Sequence, residues 1–145
     1  MKLVSNAFNQ ALQAGKRYQV MQTRFVEFFK AGQYLAEPAA GLQNLSFEEN
    51  FDRDYFDVLY SGIRLRFEFT ILVKEDNSLS GTIYCSKESP RFSESKVILG
   101  VISFNGQGVT DFEPPSGDAP VTLEYNAIEI ITHFICLALQ KPLEI

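Results

Sequence analysis

The sequence is poor in the side chains that enzymes use for nucleophilic or metal chemistry. It has a single histidine, His133, and two cysteines, Cys85 and Cys136. Nucleophilic catalysis of the Ser-His-Asp or Cys-His type needs a histidine beside the nucleophile, and zinc needs three or four Cys or His ligands. His133 and Cys136 lie three residues apart in a predicted helix, but we interpret His133 as a structural side chain. We therefore expect a protein that is not an enzyme, with no catalytic residues, no metal site and no cofactor.

Long apolar runs are also missing. The longest uninterrupted stretch, residues 134–139, has six residues, whereas a helix needs about 20 to cross a bilayer. Polar Ser, Asn and Gln interrupt residues 1–10, which argues against a secretory signal. Two cysteines in apolar surroundings indicate reduced core thiols. We expect a cytoplasmic protein with no membrane partner.

The overall composition is that of a folded acidic protein. Its 145 residues include 13 Phe and 6 Tyr, too much aromatic surface for a disordered chain. The length fits one domain spanning residues 1–145. With 13 basic and 18 acidic side chains the net charge is −5, which disfavours a nucleic-acid partner and favours a basic one.

The hydrophobic pattern predicts a helix near each end of the chain and strands between them. Apolar residues recur at helical spacing over residues 3–36 and again from about residue 120 to residue 140. Alternation predicts strands at 55–60, 63–74, 79–86, 97–104 and 109–112. We expect an α+β fold with an N-terminal helix, an antiparallel meander of four to five strands and a C-terminal helix, both helices packed on one sheet face.

Two details of the strand region carry further expectations. The dense apolar run at 97–104 suits a strand that is covered on both faces. Asn105-Gly106 is typical of a two-residue hairpin turn, in which both residues have positive φ, and a short strand would follow it. The glycines of Gly106-Gln107-Gly108 are similar to part of a phosphate loop, but no predicted helix follows them to supply the amides. We therefore interpret this segment as a hairpin.

Charge is distributed unevenly along the chain. Residues 1–36 hold five basic side chains and one acidic side chain, a net charge of +4, and the remaining residues hold eight basic and 17 acidic side chains, a net charge of −9. Residues 48–57, hereafter the acidic segment, contain five acids and one arginine interleaved with aromatic residues. Rings that supply contact area beside carboxylates that supply steering are typical of protein-binding hot spots. The alternative interpretation is a solvated acidic edge whose aromatic residues belong to the core.

The acidic segment supplies all of the candidate site residues. We expect aromatic anchors at Phe51, Tyr55 and Phe56. We expect the carboxylates that steer and pair with Lys or Arg of a partner to be Glu48, Glu49, Asp52, Asp54 and Asp57.

In size, acidity and this segment, the sequence resembles the small acidic immunity proteins of bacterial toxin systems. The resemblance implies a cofactor-free inhibitor that neutralises a secreted toxin by binding it, and a nuclease with a basic substrate groove would fit an acidic surface. The chain is also similar to the acidic chaperones of type III secretion in its helix–strands–helix order, although those have a further helix amid the strands. A third hypothesis is a small-ligand binder or enzyme with a pocket between the helices and a curved sheet.

Overall fold

Two helices and five strands are described by the computed structural model, which covers residues 1–74, 76, 78–88, 96–115 and 119–142. The elements in chain order are α1 (Ala7–Gly32), β1 (Leu45–Asn50), β2 (Tyr55–Tyr60), β3 (Ile63–Val73), β4 (Leu79–Glu88), β5 (Lys96–Phe104) and α2 (Ala127–Gln140). Short 3-10 turns follow α1 at Gln33–Ala36 and join β1 to β2 at Phe51–Arg53. The strands form one antiparallel sheet in the order β1-β2-β3-β4-β5. The predicted α+β fold is confirmed.

A tight turn sets the register at the centre of the sheet. Ser61 and Gly62 join β2 to β3, and both have positive φ, 49° and 86°. Such turns match the right-handed twist of the strands that they connect. The resulting register places Phe56 opposite Phe67, and their rings stack at 4.9 Å between centroids. Alternation along β3 follows the prediction, with Leu65, Phe67 and Phe69 buried.

Both helices pack on the same face of this sheet, and the core between the two layers is rich in phenylalanine. Gly32 at the end of α1 lies so close to α2 that a Cβ there would be 2.3 Å from Cδ1 of Ile131. The helices therefore approach closely at this glycine. The largest buried side chains of the core are Met21, Phe25, Phe28, Phe56, Leu65, Phe67, Ile83, Ile102, Phe104, Leu123 and Ile131.

No helix of the described residues packs on the opposite face of the sheet, hereafter the uncovered face. Four of its apolar side chains are substantially exposed, and they are Leu72, Tyr84, Ile98 and Val101. The prediction that the strand at 97–104 is covered on both faces was therefore wrong, since Ile98 and Val101 are 48% and 50% exposed. Among the described residues, no helix is long and apolar enough to cross a membrane.

The segment after β5 differs from the predicted hairpin. Residues 109–112 make only isolated bridges, from Thr110 to Phe104 and from Val109 to Thr122, so the strand predicted there was wrong. Neither residue of Asn105-Gly106 has positive φ. The Asn105 side chain instead accepts hydrogen bonds from the backbone N–H groups of Gln107 and Val109, both at 3.0 Å, and stabilises a wider turn.

Two further boundaries differ from the prediction. β4 extends to Glu88, beyond the predicted end at residue 86, and the buried ammonium of Lys87 donates to the carbonyl oxygens of Ala138 and Lys141 at 2.8 and 2.7 Å. An amine in this position satisfies carbonyls at the C-terminal end of α2. α2 begins at Ala127, later than the expected start near residue 120. Most of the connection between the strands predicted at 79–86 and 97–104 lies outside the described residues.

Candidate functional site

The acidic segment forms a β-hairpin at the edge of the sheet. It runs through the end of β1, the 3-10 turn at Phe51–Arg53 and the beginning of β2, with Glu48 opposite Asp57 and Asn50 opposite Tyr55. Asp54 closes the turn in the left-handed region at φ 58°, a conformation that aspartate tolerates better than most residues. β1 itself was not predicted as a strand, because its six residues hold only two apolar side chains, Leu45 and Phe47.

Asp57 lies on the β2 strand of this hairpin, where it is buried and accepts hydrogen bonds from two arginines. It is 2% exposed. Arg66 donates from Nε and Nη2 at 2.9 and 3.1 Å, and Arg64 donates from Nη1 at 2.5 Å. These hydrogen bonds raise the pKa of both arginines. The expectation that Asp57 pairs with a partner was therefore wrong, because its carboxylate oxygens are already bound inside the protein.

Two of the three aromatic residues of the acidic segment, Phe51 and Phe56, hold the hairpin on the core. Phe56 is fully buried and packs against the ring of Phe29 at 5.0 Å, so it cannot be an exposed anchor, and that expectation was wrong. Phe51 is half-buried and meets the same ring edge-on at 5.1 Å. Tyr55 is half-buried on the uncovered face, where the Arg66 guanidinium lies 4.0 Å from its ring centroid.

Asp54 links the turn to α1. The Tyr18 hydroxyl donates to its Oδ2 at 2.5 Å, and Gln22 Nε2 donates to its Oδ1 at 2.9 Å. Burial and this hydrogen bond raise the pKa of Tyr18 to about 12. Both oxygens of Asp54 are thus used in positioning the hairpin.

Three of the eight candidate residues remain exposed at the surface. Glu48, Glu49 and Asp52 project from β1 and the 3-10 turn, and Glu48 also pairs with Arg64 at 3.0 Å. Glu37 is exposed just before the second 3-10 turn, at Pro38–Ala40. Residues 31–52 contain these four acids and no lysine or arginine. The contacts of Asp54, Asp57 and the aromatic residues therefore hold in place the hairpin that carries the surface carboxylates.

Arg64 and Arg66, which support this surface, were not predicted as site residues. Arg64 and Arg66 alternate with the apolar residues of β3, and this alternation placed them on the polar side of the strand. It did not indicate that Asp57 lies opposite Arg66 and within reach of Arg64. The groove beside β1 is lined by two separate segments, which include Glu37 and Phe47. No local sequence pattern indicates it, because the fold brings these segments together.

His133 and Cys136 are both exposed on α2, so the expectation of two core thiols was wrong for Cys136. The imidazole of His133 packs against Phe112 and Phe134, with ring centroids 5.8 and 5.1 Å apart. Burial raises the pKa of the other free thiol, Cys85, well above its usual value. Across the described part of the chain, no three Cys, His, Asp or Glu side chains are arranged to hold a metal ion.

Comparison with protein-family models, with curated proteins and with solved structures gave no match to this chain.

Proposed function

We propose that this protein is a protein-binding inhibitor of the immunity type, which neutralises a secreted bacterial toxin by covering a basic active-site groove. The observation that carries the proposal is the preformed acidic surface of Glu48, Glu49 and Asp52 at one edge of the sheet. A nuclease groove that is lined by Lys and Arg to bind phosphates is complementary to such a surface. The mechanism is occlusion, in which the toxin is held inactive and no bond is made or broken.

Rigidity is what makes this surface suitable for tight binding. The turn that carries Asp52 is fixed to α1 through Asp54, and the β2 strand beneath Glu48 is fixed by the Asp57–Arg66 pair. A loop that is already ordered loses little conformational entropy on association. Exposed carboxylates also accelerate encounter with a basic partner, and this steering decays over about 8–10 Å at physiological salt. We therefore expect fast association that slows as salt is added.

The gene next to the one that encodes this chain supplies the partner for the test. We expect it to encode a secreted toxin with a basic catalytic domain, and co-expression of the two proteins should restore growth. The charge-reversal variant Glu49→Lys/Asp52→Lys should weaken binding of the purified toxin domain at least tenfold and remove its salt dependence. The matched control Glu113→Lys/Glu124→Lys makes the same change in net charge at exposed positions beyond β5, and it should bind like the wild type.

Two results would contradict the proposal. One is equal toxin affinity for the wild type and the Glu49→Lys/Asp52→Lys variant. The other is a neighbouring gene that encodes a secretion substrate, which the chain binds in unfolded form. The second result would favour a chaperone of the type III secretion kind.

A further inference from the structure

The outer edge of β1 has open backbone hydrogen-bonding groups. β1 is the terminal strand of the sheet, and the N–H of Ser61 donates to the carbonyl of Asn44 at 3.1 Å just before it. In an antiparallel pair, alternate residues direct their backbone groups to the neighbouring strand. Ser46, Glu48 and Asn50 therefore pair with β2, and the three residues that turn their N–H and C=O groups outward are Leu45, Phe47 and Glu49.

Those outward groups have no backbone partner among the described residues. The backbone hydrogen bonds outside the helices and strands reach Asn44 and Ser61 at one end of the β1–β2 pair, but none reaches Leu45, Phe47 or Glu49. An unpaired strand edge is a template for a further strand, and proteins commonly protect such edges with helices, bulges or charges. Here the charged side chains of residues 31–52, which include β1, are all acidic.

A groove runs alongside this edge. It has a volume of about 390 Å³ and separates β1 from the 3-10 turn at Gln33–Ala36. The groove is lined by Gln33, Ala36, Glu37, Leu45, Ser46 and Phe47. Its walls combine polar side chains with the apolar side chains of Leu45 and Phe47, and they have room for side chains of a strand added beside β1.

The charges around the edge identify the chemistry of the occupant. Glu37, Glu48, Glu49 and Asp52 lie in a stretch that contains no lysine or arginine, and Lys30 and Arg53 flank it. A second copy of this chain is an unsuitable occupant, because edge-to-edge pairing would bring the same carboxylates together. A segment that is rich in lysine or arginine complements them.

We propose that β1 accepts an extended basic segment of the partner as a sixth strand of the sheet. The backbone of that segment pairs with Leu45, Phe47 and Glu49. Its basic side chains enter the groove beside Phe47, where they meet Glu37 and Glu49, and its intervening apolar side chains lie on the opposite face of the sheet. Backbone pairing supplies affinity in strand addition, and the pockets for alternate side chains supply specificity. This inference rests on the proposed function and assigns the binding mode of the same surface.

The test uses a defined probe, a capped peptide of alternating lysine and valine as long as β1, titrated into the full-length ¹⁵N-labelled protein. We expect saturable amide shifts centred on residues 45–49, with a dissociation constant below about 1 mM. The same peptide with N-methylated central amides keeps its charge and loses backbone donors, so it should bind at least tenfold more weakly. A glutamate–valine peptide of the same length should not bind.

Two variants at one exposed position separate backbone pairing from charge. Glu49→Gln removes the carboxylate and keeps the outward N–H, whereas Glu49→Pro removes both. We expect Glu49→Pro to bind the lysine–valine peptide at least fivefold more weakly than Glu49→Gln. The dispersion of the amide spectrum reports whether each variant is folded, and the N-methylated peptide tests the same contact in the wild type.

The outcomes distinguish this inference from the proposed function. Strand addition is wrong if no binding occurs up to about 1 mM, if the shifts lie elsewhere, or if N-methylation has no effect. It is also wrong if a folded Glu49→Pro variant binds like Glu49→Gln. If any of these results is obtained while the Glu49→Lys/Asp52→Lys variant still fails to bind the toxin, strand addition is wrong and the inhibitor proposal remains. If the peptide adds to β1 but no neighbouring toxin is neutralised, the proposed function fails and the strand-addition site remains.

Discussion

The carboxylate of Asp57 should be a major determinant of stability, and Asp57→Asn tests this. The side chain is 3% exposed and accepts three hydrogen bonds from Arg64 and Arg66, whose own side chains are 31% and 28% exposed. Removing one partner of a fully buried ion pair costs about 3–5 kcal/mol. Because both guanidinium groups can still be hydrated, we expect a smaller loss of about 2–3 kcal/mol in the free energy of unfolding.

Chemical denaturation at neutral pH measures this loss directly. For a chain of this length, a change of that size corresponds to a melting temperature lower by about 5–10 °C. The control Asp52→Asn makes the same chemical change at an exposed position of the same hairpin and should stay within about 0.5 kcal/mol of the wild type. Combining Asp57→Asn with Arg66→Gln should cost less than the sum of the two single changes, because both remove the same contact.

Equal stability of Asp57→Asn and Asp52→Asn would contradict this prediction. That result would mean that the buried carboxylate gains no more from its two arginines in the folded protein than from water in the unfolded chain. Additive costs for Asp57→Asn and Arg66→Gln would also contradict it, since the two side chains would then act independently.

Three further predictions concern other contacts of the fold. The pKa of Tyr18 is raised to about 12, so the unfolded chain loses this proton first and the free energy of unfolding falls as pH rises above 10. Tyr18→Phe should make this fall shallower when the free energy of unfolding is measured by urea denaturation at each pH. Gly81→Ala would place a Cβ 2.1 Å from a buried phenylalanine ring and should cost about 1–3 kcal/mol, whereas Gly15→Ala has no heavy atom within 4 Å in α1 and should stabilise by about 0.5–1 kcal/mol in the same assay. The thiol reagent dithiobis(nitrobenzoate) should react with one thiol per folded chain, that of Cys136, and with Cys85 only on unfolding. Rapid reaction of two thiols in the native state would contradict the burial of Cys85.

The elements predicted correctly are those whose own residues show a clear hydrophobic periodicity. In β3, apolar residues alternate with charged or polar ones from Ile63 to Ile71, and the bounds of the strand agree with the prediction to within one residue. Leu45–Asn50 was missed because a six-residue edge strand with one half-buried face carries too short an alternation to stand out. Asn105 produced a turn as expected, but its side-chain hydrogen bonds selected a wider turn, with positive φ at Gly108.

The acidic segment could be recognised from sequence, but the hairpin that carries it and the roles of its residues could not. Five acids in ten positions are visible as a charge pattern, whereas β1 was not predicted. Which of them are exposed depends on distant side chains, since Asp57 is bound by arginines of β3 and Asp54 by Tyr18 of α1. Phe56 and Phe51 have the same residue type, yet strand register buries the first completely and leaves the second partly exposed. Composition carries no information on such pairings.

The enclosed ring of Phe56 also has a dynamic consequence. It is fully buried and contacts five other phenylalanine rings, among them Phe67, which stacks on it with planes 15° apart. A ring packed at this density can rotate by 180° only when its neighbours move apart together. Its flip rate, read from the exchange of its ring protons in an aromatic NMR spectrum, would therefore measure how often the core opens beneath the acidic hairpin.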